Sequence, residues 1–280
     1  MTSTLTLPQP AGPFATFCRE FLAFGFKEAR ACIFVVLFFA TLAISTKLPL
    51  GPLPRYDFIL LMAIAIQLAM LVLKLETLDE LKTIMVFHVL GFALEVFKTN
   101  PAIGSWSYPE FAYAKLFGVP LYSGFMYSAI ASYIAQAWRI LDLKLTGYPS
   151  YRASIPLCVA IYLNFFTHHY LPDCRWVLTL VTIFIFRHTR VHFRPIAIHR
   201  QMPLLASFGL IGFFIWLGEN IGSFFRAWQY PNQAHGWAMV HWGKISSWSL
   251  LVILSIILIA DLKHYKTHLR HKAGRNQSAA

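Results

Sequence analysis

Charged residues are scarce in this 280-residue chain, at 13% of the sequence against about 25% in an ordinary soluble domain. Hydrophobic residues make up 57% of the chain and aromatic residues 16%. A soluble fold of this length has little means of hiding so much apolar surface. The composition therefore argues against a soluble domain and predicts a polytopic membrane protein.

Acidic residues and cysteines are also few. The 12 aspartates and glutamates stand against 24 lysines and arginines, an excess that in a membrane protein marks cytoplasmic loops rather than nucleic-acid binding. The 4 cysteines include no Cys-x-x-Cys pair, which argues against a disulfide framework or a zinc site. Residues 1–12 lack the charged start of a cleavable signal peptide. We expect no nucleic-acid partner, no metal and no other cofactor.

Apolar runs near the 20 residues that cross a bilayer predict eight membrane-spanning helices. The predicted spans are 30–48, 57–75, 82–98, 119–139, 153–171, 174–190, 203–220 and 244–261. The sixth is the weakest, because its apolar centre is short. Phenylalanines at helical spacing before residue 30 predict either a helix in the membrane interface or an early start of the first span. The predicted fold class is all-α, a membrane helix bundle forming one domain over 1–280.

Lysine and arginine decide the orientation of such a bundle, because they collect in cytoplasmic loops. Most of them fall before the first span, in the even-numbered loops, and in a basic tail at 262–280. Both termini are therefore predicted to face the cytoplasm. The long loops at 99–118 and 221–243 then lie outside.

An aromatic motif, Trp-x-Tyr-Pro, occurs once in each of these outer loops, at 106–109 and 228–231. Each copy follows an Ile-Gly-Ser triplet and an apolar run that contains a glutamate near its end, Glu95 or Glu219. The duplication predicts a diverged internal repeat of two parallel four-helix units, at 30–141 and 153–261. The alternative is two unrelated interface loops that share tryptophan and tyrosine because membrane interfaces favour both.

Polar side chains collect near the predicted outer ends of the spans, where they are costly unless paired or wetted. Glu95 and Glu219 are the candidate catalytic residues, as a general acid and base or as a proton relay. The structural alternative is that Lys98 neutralises Glu95 and that Glu219 caps an interface. The candidate substrate-binding residues are Trp106, Tyr108, Glu110, Tyr127, Asn164, His168, Asn220, Trp228 and Tyr230.

A repeat also predicts how these residues meet. The two carboxyl groups should lie at similar depth and face one space between the third and seventh spans. The segments 106–108 and 228–230 should roof that space. Pro109 and Pro231 should each end an extended segment, because proline fixes the backbone and lacks an N–H donor.

Several segments are distinctive enough to compare with known families. They are Gly-Ser-Trp-Ser-Tyr-Pro-Glu at 104–110, Val-Pro-Leu-Tyr-Ser-Gly-Phe-Met-Tyr-Ser-Ala at 119–129, Ala-Trp-Arg at 137–139, Asn-Phe-Phe-Thr-His-His-Tyr at 164–170, His-Phe-Arg-Pro at 192–195 and Trp-Gln-Tyr-Pro-Asn-Gln at 228–233. Together they resemble an uncharacterised bacterial integral-membrane family labelled domain of unknown function 817. The resemblance implies a multi-pass protein of the bacterial cytoplasmic (inner) membrane and brings no activity. A helix glutamate followed by Gly, Trp and Tyr is also distantly similar to membrane-bound carotenoid hydratases and cyclases.

Two classes of function stay open on the sequence. The first is an intramembrane enzyme that acts on a lipid or isoprenoid by proton transfer, with loop aromatics stabilising positive charge. The second is a proton- or cation-coupled transporter or a lipid-binding membrane protein. Membrane lipid is the expected partner in both.

Overall fold

A computed structural model describes residues 12–277, with side chains described as far as residue 260. Within that part of the chain the fold is mostly helical, as predicted. The helices are α1 Pro13–Ala31, α2 Ile33–Ser45, α3 Arg55–Val72, α4 Leu78–Thr99, α5 Ser123–Ile140, α6 Tyr151–Thr167, α7 Arg175–Phe186, α8 Leu204–Phe224 and α9 Lys244–Gln277. The predictions about a signal peptide at 1–12 and a basic tail at 262–280 fall almost wholly outside the described side chains.

Helices occupy all eight predicted spans, but eight membrane crossings are not supported. Among the described helices, α3 and α8 are long and apolar enough to cross a membrane alone. The pair α1 and α2 becomes a third candidate if it is one span with a 61° bend between its halves. α7 has 12 residues, which at 1.5 Å per residue is roughly 18 Å and short of the ~30 Å hydrocarbon core. An apolar run fixes where a helix forms, whereas its helical length decides whether it can cross.

The described part of the chain also contains five short strands, which the all-α prediction did not include. β1 Lys115–Leu116 and β2 Val119–Pro120 form a hairpin. β3 Lys144–Thr146, β4 Arg190–Phe193 and β5 Arg200–Pro203 form an antiparallel sheet in the order β3-β4-β5. Strands of two to four residues are too short to show the alternation of apolar and polar residues from which a strand is predicted. The three-stranded sheet joins the loop after α5 to the loop before α8, so these two loops lie at one end of the bundle.

Two apolar clusters form most of the core. The first packs α2, α3 and the start of α5 against the loops that carry the aromatic motif, through residues such as Phe38, Tyr56 and Tyr122. The second surrounds α9, whose residues 250–260 are almost all buried. The second cluster makes α9 the central helix of the bundle, because α5, α6 and α8 all pack against it.

Two helix glycines let aromatic rings lie directly against the helices near the loop end of the bundle. A Cβ atom added at Gly91 would lie 2.2 Å from Cγ of Tyr127, and one at Gly222 would lie 2.1 Å from Cη2 of Trp228. Both distances are far below van der Waals contact, so neither position accepts a larger residue without moving the ring.

We expect Gly222→Ala to destabilise the protein by about 1–3 kcal/mol, because the added methyl displaces the buried Trp228 ring. The matched control is Gly209→Ala in the same helix, where nothing lies within 4 Å of the added atom. Alanine favours a helix over glycine by up to ~1 kcal/mol, so the control should hold or raise stability. Thermal unfolding of both variants in detergent measures the difference, and equal midpoints would contradict the packing described here.

Candidate functional site

Glu95 and Glu219 lie near the ends of two helices that finish at the same end of the bundle. Glu95 is four residues from the last residue of α4, and Glu219 is five residues from the last residue of α8. Both are buried, with 2% and 8% of their surface exposed. Both also border one cavity of about 910 Å³, called the main cavity below. The structure therefore brings the two sequence-predicted carboxyl groups to a common space.

The Glu95 carboxylate receives three hydrogen bonds from two separate segments. Trp106 Nε1 and Tyr108 Oη each donate to Oε2 over 2.7 Å, and Tyr127 Oη donates to Oε1 over 2.8 Å. Burial raises the pKa of Tyr108 well above its ordinary value, so its hydroxyl stays protonated and acts as a donor. Hydrogen bonding on this scale satisfies a buried carboxylate that forms no ion pair with the described side chains.

The Glu219 carboxyl group has fewer donors. Tyr230 Oη lies 2.8 Å from both Oε1 and Oε2. Burial also raises the pKa of Tyr230 well above its ordinary value, so this hydroxyl is a donor too. In each loop, therefore, the tyrosine of the Trp-x-Tyr-Pro motif reaches back to the glutamate of the preceding helix. The two carboxyl groups differ in that Glu95 gains two further partners.

The two copies of the motif pair with each other through their middle residues. Ser107 N donates to Gln229 O, and Gln229 N donates to Ser107 O, both over 2.9 Å. This is the hydrogen-bonded pair of an antiparallel ladder, which has a local two-fold axis through its centre. The rings of Trp106 and Tyr230 meet edge to face with centroids 6.2 Å apart. We call segments 106–108 and 228–230 together the aromatic roof.

The equivalence of the two loops stops at the aromatic motif. The first Ile-Gly-Ser triplet lies in the loop, with Gly104 in the left-handed region at φ +60°. The second, at 221–223, lies inside α8. Pro231 opens a 3-10 turn at Pro231–Gln233, whereas no regular structure follows Pro109. The triplets are therefore not structural counterparts, although the sequence pairs them.

Lys244, at the start of α9, lies over the aromatic roof. Its Nζ is 4.8 Å from the ring centroid of Tyr230 and 5.2 Å from that of Trp106. A cation over two ring faces is favourable, and it also places positive charge within electrostatic reach of Glu219. Sequence reasoning missed Lys244 because it stands at the edge of the eighth predicted span, where a lysine is expected for orientation alone.

Lys98 does not pair with Glu95 as the structural alternative required. Its Nζ lies 2.8 Å from His169 Nε2 and 3.3 Å from His168 Nε2. His168 Nδ1 lies 2.7 Å from the carbonyl oxygen of Asn164, which leaves Nε2 as the acceptor for lysine. Every ion pair found among the described side chains involves a carboxylate other than Glu95 or Glu219.

Three of the predicted substrate-binding residues anchor loops and do not border the main cavity. Asn164 donates to Asp173 and accepts from Cys174 N, each over 3.1 Å. Asn220 accepts from Val240 N over 2.9 Å. Glu110 forms an ion pair of 2.7 Å with Arg55. Polarity near a helix end indicated these positions, but loop anchoring and ligand binding select the same residue types.

Arg55, at the start of α3, joins the two motif-bearing loops. Besides Glu110, its guanidinium donates to the carbonyl oxygens of Phe225 over 2.5 Å and Arg226 over 3.2 Å. A planar guanidinium with five donors can hold several acceptors from different segments at once. The sequence shows only a single arginine after a proline, which gave no signal for this role.

The main cavity is long and almost entirely apolar away from the glutamates. It borders α5 from Met126 to Trp138 and α8 from Leu204 to Ile221, which are roughly 18 Å and 25 Å of helix. One end is formed by Glu95, Glu219 and three side chains of the aromatic roof, namely Trp106, Tyr108 and Trp228. The other end reaches the β3-β4-β5 sheet at Val191 and Phe193. Its volume lies within the range of sites that bury whole ligands.

Residues 20–256 match the family described as Protein of unknown function (DUF817). The chain is also 51% identical over 260 residues to the Uncharacterized protein YoaT of Bacillus subtilis (strain 168), covering 93% of this chain and 98% of that protein. No solved structure matches the chain. The family match spans most of the sequence and confirms the resemblance carried by the aromatic motifs. This chain belongs to the DUF817 family.

Proposed function

We propose that this chain is an integral protein of the bacterial cytoplasmic membrane that binds a long-chain lipid or isoprenoid in the main cavity. On this proposal Glu95 and Glu219 transfer protons to and from the bound molecule. The observation that carries the proposal is the position of both buried carboxyl groups at one end of a long apolar cavity.

Membrane location is supported by apolar stripes on outward helix faces. Such stripes are costly in water and favourable against lipid. Their spacing of three to four residues follows one face of each helix. On α3 the exposed side chains are Leu61, Ile64, Leu68 and Val72, and on α7 they are Trp176, Leu180 and Phe184.

A long-chain ligand is supported by the shape and chemistry of the main cavity. Its length of roughly 20 Å along two helices suits an extended chain rather than a compact polar metabolite. Apolar walls gain free energy from burying methylene groups, at about 0.8 kcal/mol per group. The aromatic rings at the glutamate end can also stabilise positive charge that develops on a ligand.

Proton transfer is supported by the unequal surroundings of the two carboxyl groups. Glu95 has three donors, which suit a negative charge. Glu219 has one tyrosine hydroxyl, which leaves oxygen lone pairs available to a ligand or a proton. Two acidic groups in different environments can divide the roles of acid and base. One proton gained and one lost leaves the ligand's oxidation state unchanged.

Transport is the second candidate, and the extent of the main cavity favours it. The cavity runs from the aromatic roof to the β3-β4-β5 sheet. Glu28 of α1 also borders the cavity and accepts a hydrogen bond of 2.8 Å from Tyr133. Acidic groups along an apolar path are typical of proton-coupled transporters. The cavity is therefore compatible with a substrate that crosses the membrane as well as with one that stays bound.

The internal repeat is part of the proposal. It is supported by the reciprocal backbone pairing of Ser107 with Gln229 and by the matching tyrosine–glutamate bonds. A gene duplication that placed one loop opposite its copy would produce this local two-fold arrangement.

We expect the aromatic roof to face the cell exterior and the β3-β4-β5 sheet to face the cytoplasm. In a background without the native cysteines, Tyr113→Cys and Ala234→Cys should react with an impermeant thiol reagent in intact cells. Ser150→Cys, exposed near the sheet, should react only after the cells are opened. Labelling of Ser150→Cys in intact cells would reverse the orientation, and protection of all three would argue against it.

Filling the main cavity should block long-chain binding without harming the fold. Gly25 borders the cavity, and a Cβ atom added there meets nothing within 4 Å. Gly25→Leu should therefore reduce binding of a fluorescent C16 lipid to the purified protein at least tenfold. Gly209→Leu is the matched control, because Gly209 has the same free space and does not border the cavity. Equal binding by both variants would mean that the chain binds elsewhere.

The comparison of lipid extracts decides between the two candidate functions. A strain that lacks the protein should accumulate a lipid that its parent consumes, and the wild-type gene should remove it. Glu95→Gln and Glu219→Gln keep side-chain size, remove titration, and should each fail to complement at normal protein level. Asp79→Asn, an exposed carboxylate at the other end of α4, should complement. Unchanged lipids together with altered uptake or resistance would favour transport.

A further inference from the structure

We propose that Trp248 binds the oxygen atom of the ligand, and that the ligand is a long-chain alcohol. The inference rests on the proposed function, since it places the polar end of the bound chain beside Glu219. It names a ligand class and a binding residue that the sequence did not indicate.

The indole N–H of Trp248 is a buried donor without an acceptor. Trp248 borders the main cavity, and its Nε1 atom is shielded from solvent yet has no hydrogen-bond partner among the described residues. Buried N–H groups nearly always have a hydrogen-bond partner, because an unpaired buried donor costs about 1–3 kcal/mol of stability. A ligand that supplies an acceptor at this point would recover that free energy.

The unpaired donor lies beside the less satisfied carboxyl group. Trp248 Nε1 is near enough to Glu219 to act as a weak donor to its carboxyl group, although the two do not meet the geometry of a full hydrogen bond. Among the described residues, the hydroxyl of Tyr230 is the donor that reaches Glu219 in full hydrogen-bond geometry. The glutamate end of the cavity therefore offers one free donor and free acceptor lone pairs side by side.

Packing holds the Trp248 ring in place. The next residue, Ser249, lies so close to α8 that a Cβ atom on Gly212 would be 3.0 Å from its backbone nitrogen. Helices α8 and α9 thus meet backbone to backbone, which fixes the rotation of α9 about its axis. The ring itself packs against Leu94, Tyr127 and Leu251. These contacts restrict rotation of the Trp248 ring and keep its N–H beside Glu219 at the edge of the cavity.

A hydroxyl group matches this pair of partners better than other chain ends. A hydroxyl oxygen accepts from the indole N–H and also donates its own proton to a carboxylate oxygen. A hydrocarbon end leaves the N–H unpaired. A carboxylate end would place a further negative charge beside Glu95 and Glu219, which is unfavourable in an apolar site. The order expected for equal chain length is alcohol first, with hydrocarbon and fatty acid both weaker.

Native mass spectrometry of the full-length protein in detergent tests this order directly. The probe is an equimolar mixture of hexadecan-1-ol and hexadecane, which differ by one oxygen atom. We expect wild-type protein to carry the alcohol in roughly tenfold excess, the effect of about one hydrogen bond. Trp248→Phe keeps an aromatic ring and removes only the N–H, and it should bring the two chains near parity without weakening hexadecane. Trp242→Phe, at a tryptophan that is 72% exposed, is the matched control and should behave as wild type.

The outcomes separate this inference from the proposed function. If wild-type protein binds both chains equally, or Trp248→Phe keeps the preference for alcohol, the role of Trp248 is overturned while long-chain binding stands. If wild-type protein binds neither chain, the proposed function fails and the inference fails with it. The wild-type comparison needs no variant, so poor folding of Trp248→Phe leaves the test intact.

Discussion

The burial of two carboxyl groups is the constraint on which the rest of the site depends. A carboxylate buried from solvent needs several donors, and Glu95 obtains them from Trp106, Tyr108 and Tyr127. Two of those donors come from a loop, so the loop must fold back over the end of α4. The same requirement brings Tyr230 back to Glu219. The aromatic roof thus forms because both loops fold back to donate hydrogen bonds to buried glutamates at neighbouring positions.

The aromatic roof and the main cavity differ in polarity, although they meet at the same end of the bundle. The roof is polar toward the glutamates and is bound together through backbone hydrogen bonds between Ser107 and Gln229. The cavity below it is walled by apolar side chains of α1, α2, α5 and α8. A chain molecule in such a space would meet the carboxyl groups of Glu95 and Glu219 at one end and that of Glu28 farther along the cavity. Two of these three carboxyl groups lie together at the roof end, and most of the remaining wall offers only apolar surface to a bound chain.

The sequence predicted the parts of this arrangement that rest on unusual residue types. Two acidic residues in apolar runs and a duplicated Trp-x-Tyr-Pro motif are rare enough to indicate a shared site, and the structure brings them together. It did not predict Trp248 or Lys244, because both come from the start of a helix that reads as an ordinary span. It also predicted Asn164 and Asn220 as substrate-binding residues. The structure shows both side chains anchoring loops, a role that selects the same residue types as ligand binding. Eight crossings are not supported, because hydropathy alone does not reveal where α1 bends away from α2 or how short α7 is.

The long separation in sequence between the two halves of the roof has a consequence for the order of folding. Glu95 finds its donors within 32 residues, so its charge is satisfied as soon as α5 has been synthesised. Ser107 pairs with Gln229, Tyr122 donates to the carbonyl of Ala227, and Arg55 donates to that of Phe225, 170 residues away. At translation rates of about 5–20 residues per second, the first loop waits on the order of ten seconds for its counterpart. The hydrogen bonds to Glu95 can therefore form before Gln229, the backbone partner of the first loop, has been synthesised, and the central helix α9 follows both loops.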